Sequence, residues 1–114
     1  MNRAQANEHL RFIRSLPCLI CGEDTTVEAA HVRHGDRSVG KDNVGLGAKP
    51  SDAFTVPLCG HHHRDQHRNG ELRWWGDWQI DAVKAALALW FHTGNHEAAG
   101  RIVEHHNMIA RAKL

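Results

Sequence analysis

Two short motifs constrain this chain more than anything else in its sequence: Cys18-Leu19-Ile20-Cys21-Gly22 and Cys59-Gly60-His61-His62. Two thiolates three residues apart can share one metal ion if the chain turns sharply between them, and a following glycine permits the positive φ of such a turn. The second motif repeats that spacing with an imidazole in the last place. Zinc takes four such ligands tetrahedrally, and a site with no open position is structural. Cys18, Cys21, Cys59 and His62 are therefore the expected ligands of one structural Zn²⁺, with His61 as the alternative fourth ligand. The set uses all 3 cysteines of the chain, an odd number that argues against a disulfide framework. A redox Cys-x-x-Cys would belong to a thioredoxin-like strand and helix pattern, which is missing, and would leave Cys59 unexplained. At 114 residues the chain reads as one small domain, 1–114. A zinc staple between its start and its middle decides whether so small a core folds.

Around these motifs the sequence predicts a helix over residues 3–16, with Ala6, Leu10, Ile13 and Leu16 near one face. A short strand follows at Val27–Val32, then a loop over 33–52 rich in Gly, Asp, Lys and Ser, then a second strand at Phe54–Leu58. Pro57 confines that second strand to an edge, or itself to a strand end. Residues 60–69 form a polar helix stopped by Gly70. One long amphipathic helix then starts from Asp77 as N-cap and carries Ile80, Val83, Leu87, Trp90 and Phe91 on its apolar face. Gly94 ends it. A last helix, capped by Asn95, buries Ala99, Ile102, Val103, His106, Ile109 and Ala110. The expected class is α+β: a core at 18–70 and a helical extension at 71–114. Apolar stripes of this kind chiefly pack a core or a dimer contact, and the same holds for Trp74, Trp75, Trp78 and Trp90, although tryptophans can also stack on bases.

Composition narrows the function less. The net charge is only +1, no strong footprint for nucleic acid, although Arg64, Arg68 and Arg73, and Arg101, Arg111 and Lys113, could each form a local basic face. No apolar run approaches the ~20 residues needed to span a bilayer. The polar N-terminus lacks the apolar stretch of a signal peptide. The expectation is thus a cytoplasmic protein with no membrane partner. The 11 histidines are the unusual count, because imidazole binds metals and moves protons near neutral pH. With His62 assigned to zinc, His63 and His67 remain four residues apart, on one helical face and within reach of one ion. Two imidazoles leave the rest of a metal's coordination open to water and phosphate oxygens, as a catalytic metal requires. His31 stands at the end of the first strand.

Taken in order, Cys-x-x-Cys, AHVRH (30–34), KPSD (49–52) and PLCGHHHRDQH (57–67) resemble an HNH endonuclease of the ββα-metal, or His-Me finger, type. Within that family the pattern is similar to small phage and prophage nucleases with A-H-V-R, G-x-K-P-x-D and P-L-C-x-x-H-H segments. The resemblance covers residues 18–70 and implies a ββα-metal core flanked by an N-terminal and two C-terminal helices. It implies that His31 is the general base that activates water, and that Asp52 braces the hairpin and orients that base. It also implies that His63 and His67 hold a catalytic divalent ion such as Mg²⁺ or Mn²⁺. Arg33 and Lys49 would then clamp the substrate phosphate. The implied partner is DNA, with a recombination protein as an additional partner to be tested.

One departure leaves alternatives open. Family members often place an acidic residue or a second histidine before the base, where this chain has Ala30. Either two protein side chains hold the ion, or Asp52, Asp36 or His34 supplies a third, or His31 is itself a ligand and another residue is the base. A competing function class is a catalytically silent zinc module that binds DNA or a protein. A phosphatase of small esters ranks last, since two short strands offer no pocket-forming lobe.

Overall fold

The computed structural model describes residues 1–43 and 50–114. Helix α1 (Arg3–Arg14) opens with a capping box: the Asn2 side chain accepts from the Gln5 amide, and the Gln5 side chain accepts from the Asn2 amide. Strand β1 (Val27–His31) pairs antiparallel with β2 (Thr55–Cys59), from Val27 opposite Cys59 to His31 opposite Thr55. Helices α2 (Gly60–Asn69), α3 (Glu71–Trp78), α4 (Ala82–Phe91) and α5 (His96–Arg111) follow. The class is α+β, with five helices and one two-stranded sheet among the described residues. None of those helices is long and apolar enough to cross a membrane.

Pro57 sits mid-strand opposite Ala29. It can do so because each strand of a two-stranded sheet has a free edge, so a missing N–H removes no ladder bond there. Its carbonyl faces outward and accepts the Leu19 N–H at 2.8 Å, which ties the Cys-x-x-Cys turn to β2. All of β2 is buried, between α1, α2, α4 and β1.

The structure corrects the expected C-terminal layout. The single long helix is two, so three helices follow α2 rather than two. Asp77 lies inside α3, and Asp81 caps α4 by accepting the Lys84 N–H at 3.0 Å. The break is at Gln79, which takes φ 58°; a left-handed residue ends α3 as a C-cap does. Phe91 is 79% exposed and leaves the apolar face it was expected to share. The four tryptophans mostly pack: Trp74 and Trp75 are buried and meet edge to face at 4.9 Å.

Smaller shifts affect the strands and the loop. β1 stops at His31, and β2 runs one residue later than expected. Within the loop, Arg37–Val39 form a short 3-10 turn closed by an Asp36–Lys41 bridge. Gly35 forms the neck of this turn, where any Cβ would lie 2.7 Å from the Asn43 nitrogen and 2.8 Å from the Lys41 oxygen. Buried Lys41 donates to the His34 carbonyl at 2.7 Å and lies 5.1 Å from the centre of the Phe54 ring.

Candidate functional site

The Cys-x-x-Cys turn closes through its own backbone. Cys18 N–H donates to the Glu23 carbonyl at 2.8 Å, and Gly22 N–H to the Cys18 carbonyl at 2.9 Å. Gly22 takes φ 78°, which glycine adopts without strain. The Ile20 N–H points at Cys18 Sγ from 3.4 Å. From the other side, β2 ends on Cys59 and α2 starts at once, so His62 lies in its first turn. The ligand atoms of Cys18, Cys21, Cys59 and His62 all lie within 4.8 Å of one another. Cys21 Sγ is 3.9 Å from Cys59 Sγ, and His62 Nδ1 is 3.8 Å from Cys18 Sγ and 3.3 Å from Cys59 Sγ. Ligands at about 2.3 Å from a tetrahedral ion stand roughly 3.8 Å apart, so the cluster can bind a metal such as zinc. Partial burial, with the Cys18 and Cys59 sulfurs beside it, pushes the Cys21 thiol up to about 12; a cation is what lets three sulfurs ionise together. His61 stays outside the cluster, exposed, with its ring 5.1 Å from that of His62. The rings of Trp78 and Trp74 approach His62 at 5.9 and 6.4 Å, and the Trp74 indole N–H donates to Asp65 at 2.8 Å.

His31 ends β1, and its Nε2 lies 2.7 Å from Asp52 Oδ1. The hairpin itself makes this pair. Thr55, opposite His31 in the ladder, donates its hydroxyl to the Asp52 carbonyl at 2.9 Å, and the Phe54 N–H donates to the Ser51 carbonyl at 3.0 Å. Both side chains are partly shielded, His31 at 27% and Asp52 at 15% exposure, which strengthens the contact relative to one in open water. A carboxylate that accepts at this distance favours, in a neutral imidazole, the tautomer with its proton on Nε2 and its lone pair on Nδ1.

His63 and His67 face each other across one turn of α2, with 3.2 Å between their Nε2 atoms. His63 Nδ1 lies 2.7 Å from the Glu28 carboxylate. Glu28 and His31 are three residues apart on β1, about 10 Å along a strand, while α2 packs back against both strands.

The other candidates divide. Arg33 is half-buried, and its backbone N–H donates to Glu71 at 2.7 Å. Lys49 lies outside the described residues. Of the suggested third ligands, Asp52 is on His31, His34 Nδ1 is 3.3 Å from Glu71, and Asp36 accepts from the amide and hydroxyl of Ser38. Among the described residues, the Cys18, Cys21, Cys59 and His62 set is the one group of three or more potential ligands that converges.

A family model described as a protein of unknown function (DUF968) matches residues 1–86, about three-quarters of the chain. The chain belongs to the DUF968 family. The matched stretch of this DUF968 chain contains the cysteine cluster and all four of His31, Asp52, His63 and His67. It is also 30% identical over 60 residues to the uncharacterized protein YdfU of Escherichia coli (strain K12). That alignment takes in 53% of this chain and only 15% of YdfU. No solved structure matches.

Two residues of this DUF968 chain escape a reading of its motifs. Asn107 on α5 is buried and donates to the carbonyls of both Cys18 and Leu19 at 2.9 Å. Its signal is a polar residue on the helix face that buries Val103 and Ala110. Glu28 sits two residues before Ala30 and so on the same face of β1; its signal is that alternation. Asn107→Ala is expected to destabilise the fold by about 1–3 kcal/mol, because the Leu19 carbonyl loses its side-chain donor and the Cys18 carbonyl keeps only the Gly22 N–H. Urea unfolding of the variant beside the parent protein checks it.

Proposed function

We propose that this chain is a metal-dependent endonuclease of the HNH type that hydrolyses DNA phosphodiester bonds. In this reading, Cys18, Cys21, Cys59 and His62 hold a structural Zn²⁺, and His63 and His67 hold a catalytic divalent ion such as Mg²⁺ or Mn²⁺. The observation that carries the reading is the His31–Asp52 contact of 2.7 Å at the end of β1, together with the His63–His67 pair of imidazoles on α2, which packs against β1 and β2. A silent zinc module has no use for either pair.

The chemistry assigned to each group follows from its surroundings. His31, with Nε2–H committed to Asp52, takes a proton from water on Nδ1, and Asp52 stabilises the imidazolium that results. The oxygen freed of its proton attacks phosphorus as the bond to the leaving oxygen breaks. The divalent ion supplies charge stabilisation for the phosphate oxygens. Two histidine nitrogens on an exposed helix leave most of its coordination to water and substrate. Arg33 and Lys49 are the cations assigned to the phosphate. A recombination protein that presents the DNA fits this reading as a partner.

The test is incubation of the zinc-loaded protein with supercoiled and single-stranded DNA, with Mg²⁺, with Mn²⁺ and with EDTA. Nicking that needs added metal supports the reading. Binding of DNA without cutting, in every metal, moves the assignment to the zinc module.

A further inference from the structure

The His63 and His67 Nε2 atoms stand 3.2 Å apart, and two imidazole nitrogens at that distance admit two arrangements. Either one donates a proton to the other, or both direct lone pairs at a shared cation. Two ligands at about 2.1 Å from one ion and 3.2 Å from each other subtend close to a right angle, as octahedral coordination requires. Which arrangement is accessible depends on where His63 keeps its proton. A proton on Nε2 blocks the metal.

Glu28 decides this. Its Oε1 lies 2.7 Å from His63 Nδ1, and a carboxylate at that distance accepts an N–H. The register of the sheet fixes the approach, since Glu28 is opposite Leu58, one residue before Cys59. That places its carboxylate beside the first turn of α2, with Oε2 only 3.9 Å from where a Cβ on Gly60 would stand. The carboxylate does not converge with both imidazoles as a third metal ligand would. Its bond is to the far nitrogen of one of them.

We infer that Glu28 is a positioning residue that holds the His63 proton on Nδ1 and so presents the Nε2 lone pair of His63, with that of His67, to one divalent cation. The inference rests on the reading of His63 and His67 as a metal site. Without the cation, His67 Nε2–H donates to His63 Nε2, and the pair is held ready. On binding, His67 releases that proton to water and takes one at Nδ1, so no net charge is lost from the ring. A carboxylate behind a metal-binding histidine fixes its tautomer and raises its basicity, and loss of such a partner typically costs roughly 10–100-fold in metal affinity.

The experiment uses the ¹⁵N-labelled, zinc-loaded full chain as the parent protein and as Glu28→Ala and Glu28→Gln, with zinc content measured for each. Long-range ¹H–¹⁵N NMR reads the His63 tautomer, and electron paramagnetic resonance reads Mn²⁺ binding. In the parent protein His63 carries its proton on Nδ1. Glu28→Ala keeps its zinc, loses that tautomer preference and binds Mn²⁺ roughly 10–100-fold more weakly. Glu28→Gln, whose amide can donate as well as accept, keeps only part of the tautomer preference and binds Mn²⁺ with an affinity between the other two. A parent His63 protonated on Nε2, equal Mn²⁺ affinity in Glu28→Ala, or a Glu28→Gln with the full parental tautomer preference but the Mn²⁺ affinity of Glu28→Ala each overturns the inference. A parent protein that shows the Nδ1–H tautomer, loses it in Glu28→Ala, and yet binds no Mn²⁺ overturns the metal-site reading and leaves Glu28 as the residue that sets the tautomer.

Discussion

A strong chelator is expected to unfold the chain by stripping the zinc proposed at Cys18, Cys21, Cys59 and His62. Structural zinc in small domains contributes about 10–16 kcal/mol near neutral pH, and a whole domain is typically stable by only about 5–15 kcal/mol. Removing the first term leaves little or nothing of the second. The geometry raises the stakes, because Cys18 and Cys59 are fully or almost fully buried. Their neighbour Cys21 has its thiol pushed up to about 12 by partial burial, with both other sulfurs adding to the effect. Without a cation the cluster has to refill with protons and pack three thiols around an imidazole. Cys59→Ser should have the same outcome, with both the end of β2 and the start of α2 released. Zinc stoichiometry by plasma mass spectrometry and helicity by circular dichroism are the measurements. A metal-free chain that kept its helicity and its cooperative melting would sink the idea that this cluster holds the fold.

On the proposed reading of His31 as general base, His31→Ala is expected to lower the rate of DNA cleavage by about 10²–10⁴-fold, while zinc content and melting temperature stay near those of the parent protein. His31 is at the end of a strand and partly exposed, so its removal empties little of the core. Asp52→Asn is the informative companion. The amide can donate as well as accept, so it no longer dictates which nitrogen of His31 bears the proton, and the rate should fall by less than in His31→Ala. Cleavage by His31→Ala at the parental rate, in a protein of full zinc content, would assign the base elsewhere.

The parts of this molecule that were legible beforehand share a property: they depend on short spacings. Cys-x-x-Cys and Cys-x-x-His specify a turn each, and the two turns meet because both flank one hairpin. The His63 and His67 pair follows from helical pitch alone. What could not be read depends on groups distant in sequence or on a choice between equivalent signals. Asp77 and Asp81 are both good N-caps, and only the left-handed Gln79 selects the second. Phe91 has the right period for a buried face but falls at the end of α4, where no neighbour covers it. Glu28 is exposed and polar on a strand, and its importance depends on a helix that starts 32 residues later, at Gly60. Lys41 is a charged loop residue buried by the turn it helps to close.

The hold of Asn107 on Cys18 and Leu19 spans 88–89 residues of chain, whereas Cys21 and Cys59 are 38 apart. Contacts that close longer loops form later and more slowly. During synthesis Cys18 and Cys21 are made before Cys59 and His62, which arrive with β2 and α2. The carbonyls of the turn gain their side-chain donor only when α5 docks, after all four residues of the cluster have been made. Support for the cluster is thus acquired in stages, and the final one waits for α5.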